Sequence, residues 1–240
     1  MKIFNWINIR LLLVFGLAIF LYAFSSERNA HRKIKKAEVV FDNPSELFIS
    51  PESVNKLLIE KNSPSGTVAK ENLDLNKLEK AVNAHEMVEK SQIFVSVDGV
   101  LRAMVKQKTP VVRVFDETGS FYVDYEGKKM PLSTLHTARV PLVTGDLMAK
   151  DSAALHEVFR SVHDDDFLKK NIVGIKVNPS GSLEMSNRNF DYVIDFGKPI
   201  NIERKFRNYK AFFQKAAQDS TIKKYKKINL RFTQQVVCTK

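Results

Sequence analysis

The sequence predicts an α+β protein held behind an N-terminal apolar helix, and three observations carry that expectation. "LLLVFGLAIFLYAF", Leu11 to Phe24, is an unbroken apolar run near the start of the chain. Behind it the periodicity switches from helical to alternating, in the order β-α-α-β-β, over residues 37–115. From residue 116 onward alternating runs dominate, interrupted by two amphipathic helices, which suits a mixed sheet with helices packed on it.

The fourteen-residue apolar run has the length of a signal-peptide core, and with "IFNWINIR" upstream it extends to a bilayer-spanning length. Ala23 and Ser25 leave cleavage open. A retained anchor is favoured, because Arg10 is placed to snorkel and Trp6 and Tyr22 lie near the two interfaces. Residues 1–10 then form a short tail, 11–24 the core of the span and 25–36 a basic connector. Charge bias alone would keep the following domain on the cytoplasmic side, but that rule weakens for long translocated segments. Topology stays open at this point.

"AEVVF" (Ala37–Phe41) reads as a short strand. Ser50-Pro51-Glu52 opens a helix with Val54, Leu57 and Leu58 on its apolar face, since Ser caps well and Pro suits the first helical position. Asn62 to Gly66 breaks the chain. Asp74 caps a second helix bearing Leu75, Leu78 and Val82. "QIFVSV" and "VLRAMVKQ" around Asp98-Gly99 predict a hairpin, because a tight reversal needs residues that tolerate positive φ. "VVRVF" (Val111–Phe115) follows as an exit strand.

Residues 116–240 are expected to be a second domain. "FYVDY" and "KKMPL" flank Glu126-Gly127 as a hairpin, and "RVPLVTG" is a strand ending at Gly145. Asp151 or Ser152 starts a helix facing inward through Leu155, Val158, Phe159 and Val162. "IVGIKVN" and "LEMS" pair around Pro179-Ser180-Gly181. In "FDYVIDFG", Phe190, Tyr192, Ile194 and Phe196 share one side. A basic helix from Asn201 to Gln218 carries the stripe Ile202, Phe206, Tyr209, Phe213 and Ala216 or Ala217. Ile228, Leu230, Phe232, Val236 and Cys238 share a parity, which predicts one half-buried strand of about ten residues near the end of the chain.

The chemistry-bearing residues are sparse. Nucleotide, zincin and serine-hydrolase motifs are absent from the sequence, and its single cysteine, Cys238, cannot form an internal disulfide. "HEVFRSVHDDD" (His156–Asp166) holds potential metal ligands but reads better as a solvated helix end. Asp191 and Asp195, four apart on a strand, would be the carboxylate pair of a glycan hydrolase; a solvent-facing sheet surface is the plainer reading. From Lys198 to Lys227 ten Lys or Arg face only Glu203 and Asp219. That field suits any phosphate-bearing partner, yet Tyr209 and Phe213 on the apolar stripe argue against nucleic acid. The expectation is no enzyme and no cofactor.

In this order, "VSVDGVLRAMVKQKTPVVRVF", "YVDYEGKKMPLS", "RVPLVTG", "FDYVIDFGKPINIERKFRNYKAFF" and "INLRF" make the chain resemble the FtsQ/DivIB family of bacterial division proteins, in its Bacteroidetes-type branch. The resemblance implies a POTRA-like domain over 37–115 and a β domain over 116–240. It implies a non-enzymatic single-pass scaffold of the cell inner membrane, with the bulk of the chain periplasmic at the division septum. FtsB-type and FtsL-type membrane-anchored proteins are the implied partners, and through them the septal peptidoglycan synthase complex. The family's last strands accept a strand from the FtsB-type partner, which makes Arg231, Phe232 and Gln235 the expected contact residues. Departures are a tail of only about ten residues and Phe232 where proteobacterial relatives have Tyr. The rival expectation is a POTRA-containing export or outer-membrane assembly factor, which would normally carry several such modules in tandem.

Overall fold

The computed structural model describes residues 6–30, 36–60, 73–117, 119–145 and 152–240. The expected break at Asn62–Gly66 and residues 31–35 of the basic connector lie outside the described residues. The chain divides into two compact units, Met1–Gln107 and Lys108–Lys240.

In the first unit, α1 (Trp6–Ala30) is a continuous helix of 25 residues. At 1.5 Å per residue it reaches roughly 37 Å, beyond the ~30 Å of a bilayer's hydrocarbon. Its segment Asn8–Glu27 has a mean hydropathy of 2.0, and Leu11 to Phe24 expose their apolar side chains all round. This fits a single membrane crossing.

The rest of this unit is the β-α-α-β-β module. It comprises β1 (Lys36–Phe41), α2 (Pro51–Glu60), α3 (Leu75–Asn83), β2 (Val88–Val95) and β3 (Val100–Gln107). β3 lies in the middle, parallel to β1 and antiparallel to β2. Alternation along β3 buries Leu101, Ala103 and Val105 beneath Val54, Leu58, Leu78 and Val82 of the two helices, leaving Arg102 and Met104 outside. Both expected caps form: Ser50 Oγ accepts from Ser53 N at 3.0 Å, and Asp74 accepts from Lys77 N at 3.0 Å. Gly99 takes φ +82° in the β2–β3 turn, as the Asp-Gly signal required. The Gln107 amide pins the loop before α2, accepting from Phe48 N at 2.7 Å and donating to the Glu46 carbonyl at 3.1 Å.

The second unit holds β4 (Pro110–Asp116), β5 (Gly119–Asp124), β6 (Lys129–Met130), β7 (Leu142–Gly145), α4 (Ser152–Asp164), α5 (Asp166–Asn171), β8 (Ile172–Val177) and β9 (Leu183–Asn187). It continues with β10 (Val193–Gly197), α6 (Ile202–Gln218), β11 (Lys227–Asn229) and β12 (Val237–Thr239). The nine strands form one mixed sheet in the order β12-β11-β10-β9-β8-β7-β4-β5-β6.

β4 was expected to close the first module. It pairs instead with β5 and β7, so it opens the second sheet, and the division falls between Gln107 and Lys108. The reason is local: Pro110 cannot extend the β3 ladder, and Val111, Val112 and Val114 find buried partners in the second core. α5 is an element the apolar pattern missed. Asp165 builds it by accepting from Phe167 N at 3.1 Å and Leu168 N at 3.0 Å.

α6 lies on the sheet through Ile202, Phe206, Tyr209 and Ala216, all buried, with Phe206 against Phe196 at 4.9 Å between ring centres. At its middle the Tyr209 hydroxyl meets the Tyr192 hydroxyl at 2.9 Å and accepts from Asn187 Nδ2 at 3.0 Å, a polar bridge from helix to strand inside the core. Burial raises both phenol pKa values, so both stay protonated. Lys205 is also buried. Its ammonium donates to the carbonyls of Phe196 and Lys198, each at 2.8 Å, where β10 ends.

Candidate functional site

The expected ten-residue terminal strand is two three-residue strands joined by a loop. Ile228 and Leu230 are buried as their parity predicted, but Phe232 is 52% exposed. The pairing runs out because β10, the strand that β11 lies parallel to, bulges between Asp195 and Gly197. Beyond that bulge the chain turns: Leu230 N donates to the Asp195 carbonyl at 2.8 Å, and Arg231 N donates to Asn229 Oδ1 at 2.9 Å. Residues 230–236 then loop over α6, where Asn208 Nδ2 donates to the Thr233 carbonyl at 3.0 Å. β12 returns antiparallel to β11, with Ile228 opposite Cys238.

β12 is the last strand in the order and has β11 as its hydrogen-bonded neighbour on one side. Its other side pairs with no strand among the described residues, and unpaired backbone groups on such an edge are a template for a further strand. Between the C-terminal half of α6 and residues 234–236, which lead into β12, lies a groove of about 450 Å³. Phe212, Tyr225, Ala211 and Val236 supply its apolar lining, and Lys215, Asn208 and Gln235 its polar rim.

All three expected contact residues fall in or beside the loop between β11 and β12. Phe232 is the most exposed apolar group there, Gln235 borders the groove, and Arg231 is anchored, its Nε 2.9 Å from Asp195 Oδ1. The sequence reading missed Asp195, Lys227, Tyr225 and Asn208 as parts of this region. No local signal marks Asp195, because the cations that cover it come thirty-odd residues later in the chain.

Asp195 is 2% exposed and accepts two cations: Lys227 Nζ at 2.8 Å on Oδ2 and Arg231 Nε at 2.9 Å on Oδ1. Burial alone would raise its pKa, but hydrogen bonds and charge from Lys227 and Arg231 more than offset that, and the net shift is downward. A hydrolase's acid needs the opposite shift, and Asp191 stands apart on the surface. The pair expected of a glycan hydrolase is therefore a clamp on one member. The His156–Asp166 run is similarly engaged. Asp164 accepts from the Tyr125 hydroxyl at 2.9 Å, His163 lies edge-on to the Tyr125 ring, and Asp165 caps α5 while pairing with Lys210 at 2.5 Å. The basic run is thinned by the same contacts, since Lys205, Lys210 and Lys227 are each committed to internal partners.

A family model described as FtsQ/DivIB, C-terminal related, matches residues 109–239, which run from the loop before β4 through β12. A search of curated proteins finds no match.

Proposed function

This chain belongs to the FtsQ/DivIB C-terminal related family, whose model covers more than half of it, and from that premise we propose a bitopic divisome scaffold that docks a partner strand on β12. The family is one of non-enzymatic cell-division proteins with division-protein partners. In the finer reading α1 holds the chain in the inner membrane, and the β-α-α-β-β module and the second unit work in the periplasm at the septum. The β-α-α-β-β module acts as a POTRA-type recruitment domain. The second unit engages an FtsB-type partner, with an FtsL-type protein in the same complex, and so governs septal peptidoglycan synthesis.

The open edge of β12 is the observation that carries this reading. Strand addition draws affinity from main-chain hydrogen bonds and selectivity from neighbouring side chains. Phe232, exposed in the loop that leads into β12, and Gln235 would supply the second, and Arg231 keeps guanidinium N–H groups beyond the one held by Asp195. The rival assembly-factor reading draws less support, since the described residues contain one β-α-α-β-β module and not a tandem array.

The test co-expresses the full chain, or a chain ending at Thr233, with the FtsB-type protein of the same genome. Circular dichroism checks that both versions are folded. Loss of co-purification on truncation is expected. Equal recovery of the partner by both versions would overturn the docking edge and move the search to the first unit.

A further inference from the structure

We infer that Asp195 is a positioning residue for the docking edge: by bridging Lys227 and Arg231 it holds the β11–β12 hairpin in the conformation that accepts a strand. The inference rests on the β12 reading above and adds the residue that keeps that edge formed.

A hairpin of two three-residue strands has little strength of its own. Among the described strands β12 pairs with β11, and β11 joins the sheet through three registered positions of β10. Asp195 acts at both ends of this short join. Its carboxylate takes Lys227 at the first residue of β11 and Arg231 two residues past the last, while its own carbonyl takes Leu230 N. One buried side chain thus ties the strand's start, its exit and the root of the partner-facing loop.

Gly197 is shaped for the same arrangement. It has φ +70°, and a Cβ placed there would lie 2.8 Å from Arg231 Cγ. The bulge therefore leaves a side-chain-free shelf on which Arg231 lies to reach Asp195. Lys205, the third cation near this carboxylate, is directed to the Phe196 and Lys198 carbonyls, so the two clamp partners are Lys227 and Arg231. Removing a buried anion from between two cations leaves them unpaired and frees the strand they hold. A partner that needs the formed edge then binds in proportion to the fraction of molecules that still have it.

The experiment is hydrogen exchange on the full chain in nanodiscs, beside titration with the purified FtsB-type protein, for wild type, Asp195→Asn, Lys227→Met and the double variant. In Asp195→Asn, amides of residues 226–239 should exchange at least tenfold faster while β8 and β9 keep their protection, and partner affinity should fall by a factor of five or more. Lys227→Met, which leaves the Arg231 pair intact, should shift both readouts in the same direction by less. The double variant should add nothing to Asp195→Asn. Hairpin protection in wild type should fall as pH drops through the depressed Asp195 pKa, and this acid step should vanish in Asp195→Asn.

Unchanged exchange at 226–239 in both single variants would overturn the positioning role. Faster exchange with affinity held within twofold would leave the clamp standing and overturn docking at β12. Should Asp195→Asn fail to fold, Lys227→Met decides between these outcomes by itself.

Discussion

Tyr209→Phe tests whether the polar bridge under α6 holds the second unit together. Tyr209 is fully buried, and its hydroxyl is shared by Asn187 Nδ2 at 3.0 Å and the Tyr192 hydroxyl at 2.9 Å. Deleting that oxygen removes two hydrogen bonds worth ~1 kcal/mol each and leaves two buried polar groups short of a partner, at ~1–3 kcal/mol for each orphan. Some of that is recovered, because the Tyr192 hydroxyl can rotate to a new partner. The net loss should be about 2–4 kcal/mol. For a unit of this size that corresponds to a fall in Tm of roughly 6–20 °C.

Near-UV circular dichroism reports this unit selectively, since every tyrosine except Tyr22 lies within Lys108–Lys240. Tyr192→Phe should cost less, because Tyr209 then keeps Asn187, and the double variant should cost less than the sum of the two. A Tm change under ~2 °C for Tyr209→Phe would refute the bridge as a stabilising element.

Three further outcomes follow from the same contacts. Gly197→Ala places a β-carbon in a positive-φ position and against Arg231, so it should cost about 1–3 kcal/mol and speed exchange at the Leu230 and Arg231 amides. Asp195 and Asp165 are both held below the usual carboxylate pKa, in each case because hydrogen bonds and a cation offset the raising effect of burial. Their stabilisation is therefore complete above the unfolded value near ~4 and is lost as pH falls through the folded values; acid unfolding followed by tyrosine dichroism should show a smaller low-pH loss in Asp195→Asn. Phe232→Ala should change stability by less than about 0.5 kcal/mol, since the ring is exposed, yet weaken binding of the proposed FtsB-type partner at least tenfold in a titration.

Elements governed by local signals were legible in the sequence. Asp98-Gly99, Glu126-Gly127 and the Pro179-Ser180-Gly181 turn mark hairpins because the backbone there needs positive φ, which Gly99, Gly127 and Gly181 adopt. The Ser50 and Asp74 caps and the α6 stripe are likewise short-range facts. The terminal strand misled because parity continues through Phe232 while pairing does not: the bulge on β10, far away in sequence, ends the ladder at Asn229. β4 was assigned to the wrong module for a similar reason, as its partners β5 and β7 come later in the chain.

The candidate site divides along the same line. Arg231, Phe232 and Gln235 entered as expected contact residues through the family resemblance, and a terminal strand through its alternation. Asp195 was hidden by its parity, which places it on the face of β10 opposite Ile194 and Phe196 and so reads as solvent-facing. Lys227 and Arg231, whose positions depend on a parallel pairing thirty-odd residues away, cover it in the fold. Spacing within a strand carries no information about such a lid.

The most direct measurement of the central claim is amide exchange at Val237, Cys238 and Thr239 in the full chain, with and without the FtsB-type protein. Strand addition predicts that whichever of these amides point away from β11, on the sheet edge in the free protein, become strongly protected in the complex, together with the Phe232–Gln235 loop. A stable complex in which residues 232–239 exchange as they do in the free protein would contradict docking on β12.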